Sequence, residues 1–361
     1  MVMPIDSITM TSFRSHSKTE LVFGPGINVI WGENGSGKTS VLEAIYILST
    51  GRSFKTNRLV ETINEKEETV RIVGDFKNTN RTKKIVFGQT KDQRRKITIN
   101  DSPTSAKGLL LENQVVLLSP EEQEITKGTP GDRRKFFDRL FSTVSKEYLV
   151  AIVDYTKTLK QRNALLKAGD LNKQIETWDS QFVERADRVW ELRRELINKF
   201  SSCLTETSKT YGDLAVVVSL LKKEEHPTKE EFILELKRAS KKDQITQRTS
   251  VGPHRDDYSF SFNEKQIKTY GSQGEHKIAL VIIKLAEYLF VKKETGKTPT
   301  MLLDDLFAKL DFERSDAVLA LLEKKTQSII TNTDLMDVKK HGIDLNKPQN
   351  KEFHLQRICK N

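Results

Sequence analysis

Residues Trp31 to Leu48 read WGENGSGKTSVLEAIYIL, and the apolar run INVI leads into them. A strand enters a glycine loop, and a lysine then opens an amphipathic helix. Gly32-Glu33-Asn34-Gly35-Ser36-Gly37-Lys38-Thr39 matches the phosphate-loop pattern G-x-x-x-x-G-K-[ST] in the strand–loop–helix setting that pattern needs. The glycines let backbone N–H groups converge on phosphate oxygens, and the helix N-terminus adds the positive end of its dipole. Lys38 is expected to reach the β- and γ-phosphates of ATP and Thr39 to offer its hydroxyl to Mg²⁺. Ser40 follows in the same phosphate-binding turn.

A phosphate loop of this kind works with an acid from a second strand. The segment TPTMLLDDLFAKLD supplies one: an apolar run, Met301 to Leu303, ends in Asp304-Asp305. Asp304 is the candidate Mg²⁺ partner. Asp305 is the candidate base that orients or deprotonates the attacking water.

At 361 residues the chain exceeds the roughly 250–300 residues at which single cores stop growing, so a main domain with an extra lobe is expected. The first 120 or so residues carry short β-type runs: Ile5–Met10, Leu21–Phe23, Ile27–Trp31, Val70–Phe76, Lys84–Phe87, Lys96–Asn100 and Val115–Leu118. The middle changes character. Ile175, Trp178, Phe182, Ala186, Val189, Leu196 and Phe200 recur at helical spacing, as do Tyr148, Ile152, Tyr155, Leu159 and Leu166, with AGDLNK as a turn between them. LAVVVSL (Leu214–Leu220) reads as a strand, and Thr228 starts a helix. From about Ile245 the α/β pattern returns, with strands at Asp257–Phe262, Ser328–Thr331 and Glu352–Ile358 and helices at Gln273–Lys293 and Phe312–Lys324. The expected fold is therefore α/β. A phosphate-loop head with an N-terminal antiparallel region (1–125 with 245–361) is interrupted by a helical arm (126–244).

Two widely separated cysteines, Cys203 and Cys359, make no disulfide framework, and no Cys/His cluster has zinc spacing. The N-terminus lacks the order of a signal peptide. The most apolar window, Ile278 to Val291, is interrupted by Lys284 and Glu287 and is shorter than the about 20 residues a bilayer requires. A cytoplasmic protein with no membrane segment is expected.

Gly271-Ser272-Gln273-Gly274 forms a small polar loop at the start of a long helix. A second phosphate-binding helix N-terminus has no role in a site the first already fills, but it does if it closes over a nucleotide held by another copy. Here the sequence resembles the ABC-type ATPases, whose S-G-G-Q signature sits in this position. The resemblance narrows further to the RecF family of bacterial recombination mediators, related to the SMC proteins. Its carriers are SFRSHSKTELVFGPGINVIWGENGSGKTSVLEAIYILSTGRSFKT, VVLLSPEEQEITKGTPGDRRKFFD, YTKTLKQRNALLK, GPHRDDYSF, GSQGEHK and LLDDLFAKLD, in that order along most of the chain. The resemblance implies an ATP-dependent homodimer, with Ser272 and Gly274 of one copy meeting ATP held by Lys38 of the other. It also implies slow hydrolysis and a role in loading RecA at DNA gaps with RecO and RecR.

The chain departs from the family pattern in places. Glu275-His276 stand where glutamines are usual, and Ala308-Lys309-Leu310-Asp311 replace S-E-L-D. No glutamine marks the Q-loop, for which Ser119 to Glu122 is the candidate stretch. No switch histidine follows the last core strand, so the resemblance implies that Thr333 and Asp334 take its part.

The formal net charge of +10 favours a polyanionic partner. Basic clusters lie at Arg52/Lys55/Arg58, Arg81/Lys83/Lys84, Arg94/Arg95/Lys96, Arg133/Arg134/Lys135 and Lys237/Arg238/Lys241/Lys242. Few aromatics interleave with them, so contact with the backbone of double-stranded DNA is expected rather than base stacking on single strands. Two other readings fit a phosphate loop: the ATPase subunit of a transporter, and a small-molecule kinase.

Overall fold

The computed structural model describes residues 3–78, 81–169, 174–210, 215–221, 227–305 and 326–356. The helix expected over Phe312–Lys324, the Ala308–Asp311 stretch and Cys359 lie outside them. The chain divides into two compact units, Met1–Gln123 with Leu280–Asn361, and Glu124–Ala279.

The first unit holds two sheets. Strands Ile5–Phe13, His16–Val22, Thr69–Lys77, Thr82–Thr90, Arg95–Ile99 and Ser102–Pro103 form an antiparallel sheet in which Ile5–Phe13 pairs with both His16–Val22 and Thr69–Lys77. Its strands alternate: Ile8, Met10, Ile72, Ile85 and Phe87 are buried on one face, while Thr9, Arg71 and Lys96 sit on the other. The second sheet is parallel, in the order Lys351–His354, Ile27–Trp31, Ser328–Asn332, Thr300–Asp304, Val115–Leu118. Its inner strands are buried on both faces, which is why they read as unbroken apolar runs such as MLL and SII.

Helix Lys38–Thr50 follows the glycine loop. Its apolar residues Val41, Leu42, Ala44, Ile45, Ile47 and Leu48 form one core with residues of both sheets, among them Ile72, Phe87, Leu302 and Ile329. A helix that is apolar nearly all round belongs in such an interior. Its one buried acid, Glu43, accepts hydrogen bonds from Arg14 at 2.6 and 2.9 Å and from Ser53 of the GRSF segment. The GRSF stretch after the helix thus has a plain physical task, helping to satisfy a buried carboxylate.

The second unit is mainly helical. Lys146–Ala168 and Gln174–Thr210 form the hairpin that the apolar spacing predicts, with Tyr155, Phe182, Ala186, Val189, Leu196 and Phe200 buried. Lys229–Thr246 starts at Thr228 with a capping box to Glu231. Strand Val216–Leu221 pairs antiparallel with Asp257–Phe262. The segment after Ile245, which the sequence pattern places in the head, therefore packs as part of the second unit as far as Ala279. Among the described residues, no helix is long and apolar enough to cross a membrane.

Candidate functional site

The glycine loop is held in a conformation that ordinary residues resist. Gly35 and Gly37 have φ of 85° and 95°, the left-handed region that side chains disfavour. A Cβ on Gly37 would also lie 2.4 Å from the His16 ring, whereas one on Gly35 would meet nothing within 4 Å. Backbone demands glycine at both; at Gly35 the space beside the loop is open. Glu33, Asn34 and Gly35 are exposed, and Ser36 is buried.

His16 supports the loop from beneath. Its ring contacts the Gly37 carbonyl at 3.1 Å and the Thr19 hydroxyl at 2.9 Å. Burial lowers its pKa, against the pull of the Gly37 carbonyl, and so favours the neutral ring. The Lys38 ammonium donates to the carbonyls of Gly32 and Glu33 at 2.7 and 2.8 Å. Burial lowers its pKa, while Asp305 and Asp304 oppose the shift. Ser40 donates its amide to the Gly37 carbonyl, closing the first helical turn.

The two acids come to the loop at the C-terminal end of the parallel strand Thr300–Asp304. The Thr39 hydroxyl donates to Asp304 Oδ1 at 2.9 Å, joining residues 265 positions apart. Thr331, on the neighbouring strand, donates to the same oxygen at 2.7 Å and accepts the Asp305 amide at 3.0 Å. Asp305 has a φ of 55°. Two buried atoms here have no hydrogen-bond partner among the described residues, Ser36 Oγ and Asp305 Oδ1. Buried polar atoms are nearly always satisfied, so both mark places where a further group belongs. Oxygen donors from one hydroxyl and one carboxylate suit Mg²⁺, which keeps several waters and takes few protein ligands.

The strand Val115–Leu118 runs beside Thr300–Asp304 with Leu118 opposite Leu303, so Ser119 continues alongside Asp304. The Ser119 hydroxyl is a third buried atom without a partner among the described residues. Glu122, in the same candidate Q-loop stretch, accepts from Lys284 at 2.7 Å. The expected switch residues behave otherwise. Thr333 and Asp334 are exposed, and Asp334 caps helix Leu335–Lys340 through the Met336 amide at 2.8 Å. Thr331, which no motif singles out, is the residue on that strand that touches the acids.

In the second unit, Ser272 caps helix Gln273–Thr295. Its hydroxyl accepts the Glu275 amide at 3.2 Å, and Glu275 accepts the Ser272 amide at 2.7 Å. This reciprocal box accounts for Glu275 and holds its pKa down, chiefly through the Ser272 amide. His276 is buried, with Nδ1 2.9 Å from the Thr126 hydroxyl. Both departures from the family pattern thus have local partners. Ser272 and Gly274 are exposed. A Cβ on Gly274 would meet nothing nearer than Ser272 Oγ at 3.9 Å, so the fold of one copy does not require glycine there.

Three other matched segments converge inside the second unit. Arg193, 1% exposed, pairs with Asp138 and Asp256, both at 2.7 Å, and donates to Tyr148 and to the Pro253 carbonyl. Arg162 pairs with Asp179 and Asp243, and Arg133 with Asp257. Arg134 donates to the Asp256 carbonyl. Arg133 and Arg134 are therefore structural, which corrects their place in the DNA-facing clusters; only Lys135 of that triplet is exposed.

Topology builds a different basic surface. Across the solvent face of the antiparallel sheet, Lys18, Thr11, Arg71, Gly88 and Lys96 stand in register on five successive strands. All three cations are exposed and have no ion pair among the described residues. The sequence pattern does not reveal Lys18 and Arg71 because each is isolated in its own strand.

The RecF/RecN/SMC N-terminal domain family matches residues 4–343. The DNA replication and repair protein RecF of Ruminiclostridium cellulolyticum is 32% identical, the match covering 92% of this chain and 93% of that protein. The protein of the same name from Clostridium botulinum (strain Eklund 17B / Type B) is 34% identical over 96% of this chain and 97% of its own. A solved structure of the recombination mediator protein RecF with ATP, in the RecFOR pathway, aligns with a TM-score of 0.86 at 31% identity, covering 92% of each chain. The head domain of Smc from Pyrococcus furiosus aligns at 0.53 with 17% identity, a likeness of fold alone.

Proposed function

This chain belongs to the RecF proteins of the RecF/RecN/SMC family, and on that premise we propose that it is an ATP-dependent DNA-binding protein of replication and recombinational repair. ATP closes a homodimer on double-stranded DNA, and slow hydrolysis, stimulated by DNA, releases it. The carrying observation is the assembly of Lys38, Thr39, Asp304 and Asp305 around an open loop with two unsatisfied buried oxygens.

Within that reading, the amides of Gly32–Ser40 cradle the phosphates, and Lys38 leaves the Gly32 and Glu33 carbonyls to meet the β- and γ-oxygens. Thr39 and Asp304 would hold Mg²⁺, which neutralises charge developing on the transferred phosphoryl group. Asp305 orients the attacking water. Ser272 and Gly274 complete the site from the second copy, and their exposure and freedom from steric demand support that role. The Lys18/Arg71/Lys96 row tracks phosphates of the duplex. RecO and RecR as partners at gap junctions, RecA loading as the outcome and a cytoplasmic setting complete the proposal. The match along most of the chain favours it over a transporter subunit or a small-molecule kinase.

Light scattering tests it. The mass should double with ATP and Mg²⁺, and the ATP form should bind duplex. A monomer at saturating ATP, or equal DNA binding with and without ATP, would contradict it.

A further inference from the structure

We infer that Thr331 is a positioning residue of the ATPase site, one hydroxyl that fixes the metal-side acid and the base to each other. The inference rests on the reading of Asp304 and Asp305 given above.

Asp304 and Thr331 are directly opposed on adjacent parallel strands. Thr331 is 1% exposed. Packing alone would be served by valine, which has the same branching and favours strands equally. The hydroxyl costs desolvation unless it is bonded; its two short bonds run to the two acids, and its contact with the Leu303 carbonyl of the neighbouring strand is longer, at 3.5 Å.

The first bond is to Asp304 Oδ1, which also receives Thr39. With both donors in place, that oxygen is committed, and Oδ2 would be the one left for Mg²⁺. The second bond takes the Asp305 amide. The chain leaves the strand there in the left-handed region, a conformation aspartate adopts only with support. That support sets where the Asp305 carboxylate points, and its Oδ1 is one of the oxygens of the site with no partner among the described residues. Without the Thr331 hydroxyl the Asp305 amide loses its acceptor and Asp304 Oδ1 keeps only Thr39, while every group of the loop that faces the phosphates stays in place.

Thr331→Val and Thr331→Ser separate this role from packing. A fluorescent ATP analogue would be titrated with EDTA and with Mg²⁺, alongside single-turnover hydrolysis and a thermal melt. For Thr331→Val, affinity in EDTA should stay within about twofold of the parent, since every group that faces the phosphates is still in place. The tightening that Mg²⁺ confers and the hydrolysis rate should each fall by about tenfold or more, the scale of a hydrogen bond to a charged group. Thr331→Ser should restore both. If the valine protein matches the parent in Mg²⁺ response and rate, the inference is wrong. It is equally wrong if valine weakens binding in EDTA by as much as in Mg²⁺, or if serine fails to rescue a folded protein. Should the parent itself show no Mg²⁺-dependent hydrolysis, the assignment of Asp304 and Asp305 falls first, and this inference with it.

Discussion

At the scale of residues, Asp305 and His254 make the sharpest separate demands. Asp305 holds a φ of 55° with a buried oxygen that has no partner among the described residues. Asparagine tolerates the same backbone and keeps the size of the side chain while losing the basic carboxylate. Asp305→Asn should therefore still bind ATP and dimerise. Hydrolysis should drop, and dimers on DNA should outlast those of the parent in a dissociation assay. Dimers that fail to form would make Asp305 a metal ligand or structural group instead.

His254 lies in the buried network of the second unit, with Nδ1 2.6 Å from the Tyr155 hydroxyl and Nε2 2.9 Å from the Thr249 carbonyl. Burial lowers its pKa to about 4; the Thr249 carbonyl opposes the shift, and Arg255, Arg134 and Arg193 add to it. The folded pKa lies below the unfolded value of about 6.5, so the unfolded chain binds the extra proton between them. Stability should fall as pH drops through that window, by at most about 1.4 kcal/mol per pH unit. His254→Asn removes the proton site. The difference in urea midpoint between parent and variant should shrink from pH 7 to pH 5. Parallel curves would show that His254 does not titrate as described.

The phosphate loop and acids are legible in the sequence because each is a short local pattern with a fixed chemistry. Thr331 and Arg193 are not. Their partners stand 27 and 63 positions away, and only the paired strands and the helical hairpin bring them together.

At the scale of elements, regular patterns are readable and pairings are not. The hairpin Lys146–Ala168/Gln174–Thr210 follows from apolar spacing, yet buried Thr158 and Arg162 sit on its inward face where a periodicity of apolar residues does not see them. The alternation of Asp257–Phe262 announces a half-buried strand but not its partner, Val216–Leu221. A return to the head at 245 follows from the pattern alone, and the pairing moves it. The helix beginning at Gln273 gives an element-scale prediction. Gly274→Val puts its Cβ in open space in the single copy, on an exposed position, at a helix-propensity change of less than about 1 kcal/mol. The monomer should melt within a few degrees of the parent and bind ATP with equal affinity, while the ATP-dependent dimer disappears. A normal dimer would remove Gly274 from the interface.

For the whole molecule, net charge is legible but its distribution is not. Two arginines that look from sequence like part of a phosphate patch are spent inside the fold: Arg133 is buried in an ion pair, and Arg134 is half-buried against a backbone carbonyl. The row of Lys18, Arg71 and Lys96 exists only once five strands are in register. Duplex affinity in the ATP form should fall steeply with salt. Replacing each of these three by alanine should lower the log–log slope by roughly 0.9 for each DNA phosphate that the side chain neutralises in the parent. An unchanged slope in the triple variant would move the DNA elsewhere.

The central claim is that each nucleotide is shared between two copies, and mixing two inactive variants tests it most directly. Lys38→Ala removes a charge-assisted phosphate contact, worth about 1.5–3 kcal/mol. Ser272→Arg crowds the position where the partner's γ-phosphate would meet a small hydroxyl and backbone donors. Each variant alone should neither dimerise with ATP nor hydrolyse it. In a mixed dimer one site carries both defects and the other carries neither. Mixing in equal amounts should therefore restore ATPase to at most about half of the parent, because only mixed dimers form and each has one sound site of two. ATP-dependent dimers scored in the same samples should return with it. Two folded variants that restore neither activity nor dimers on mixing would contradict the shared site.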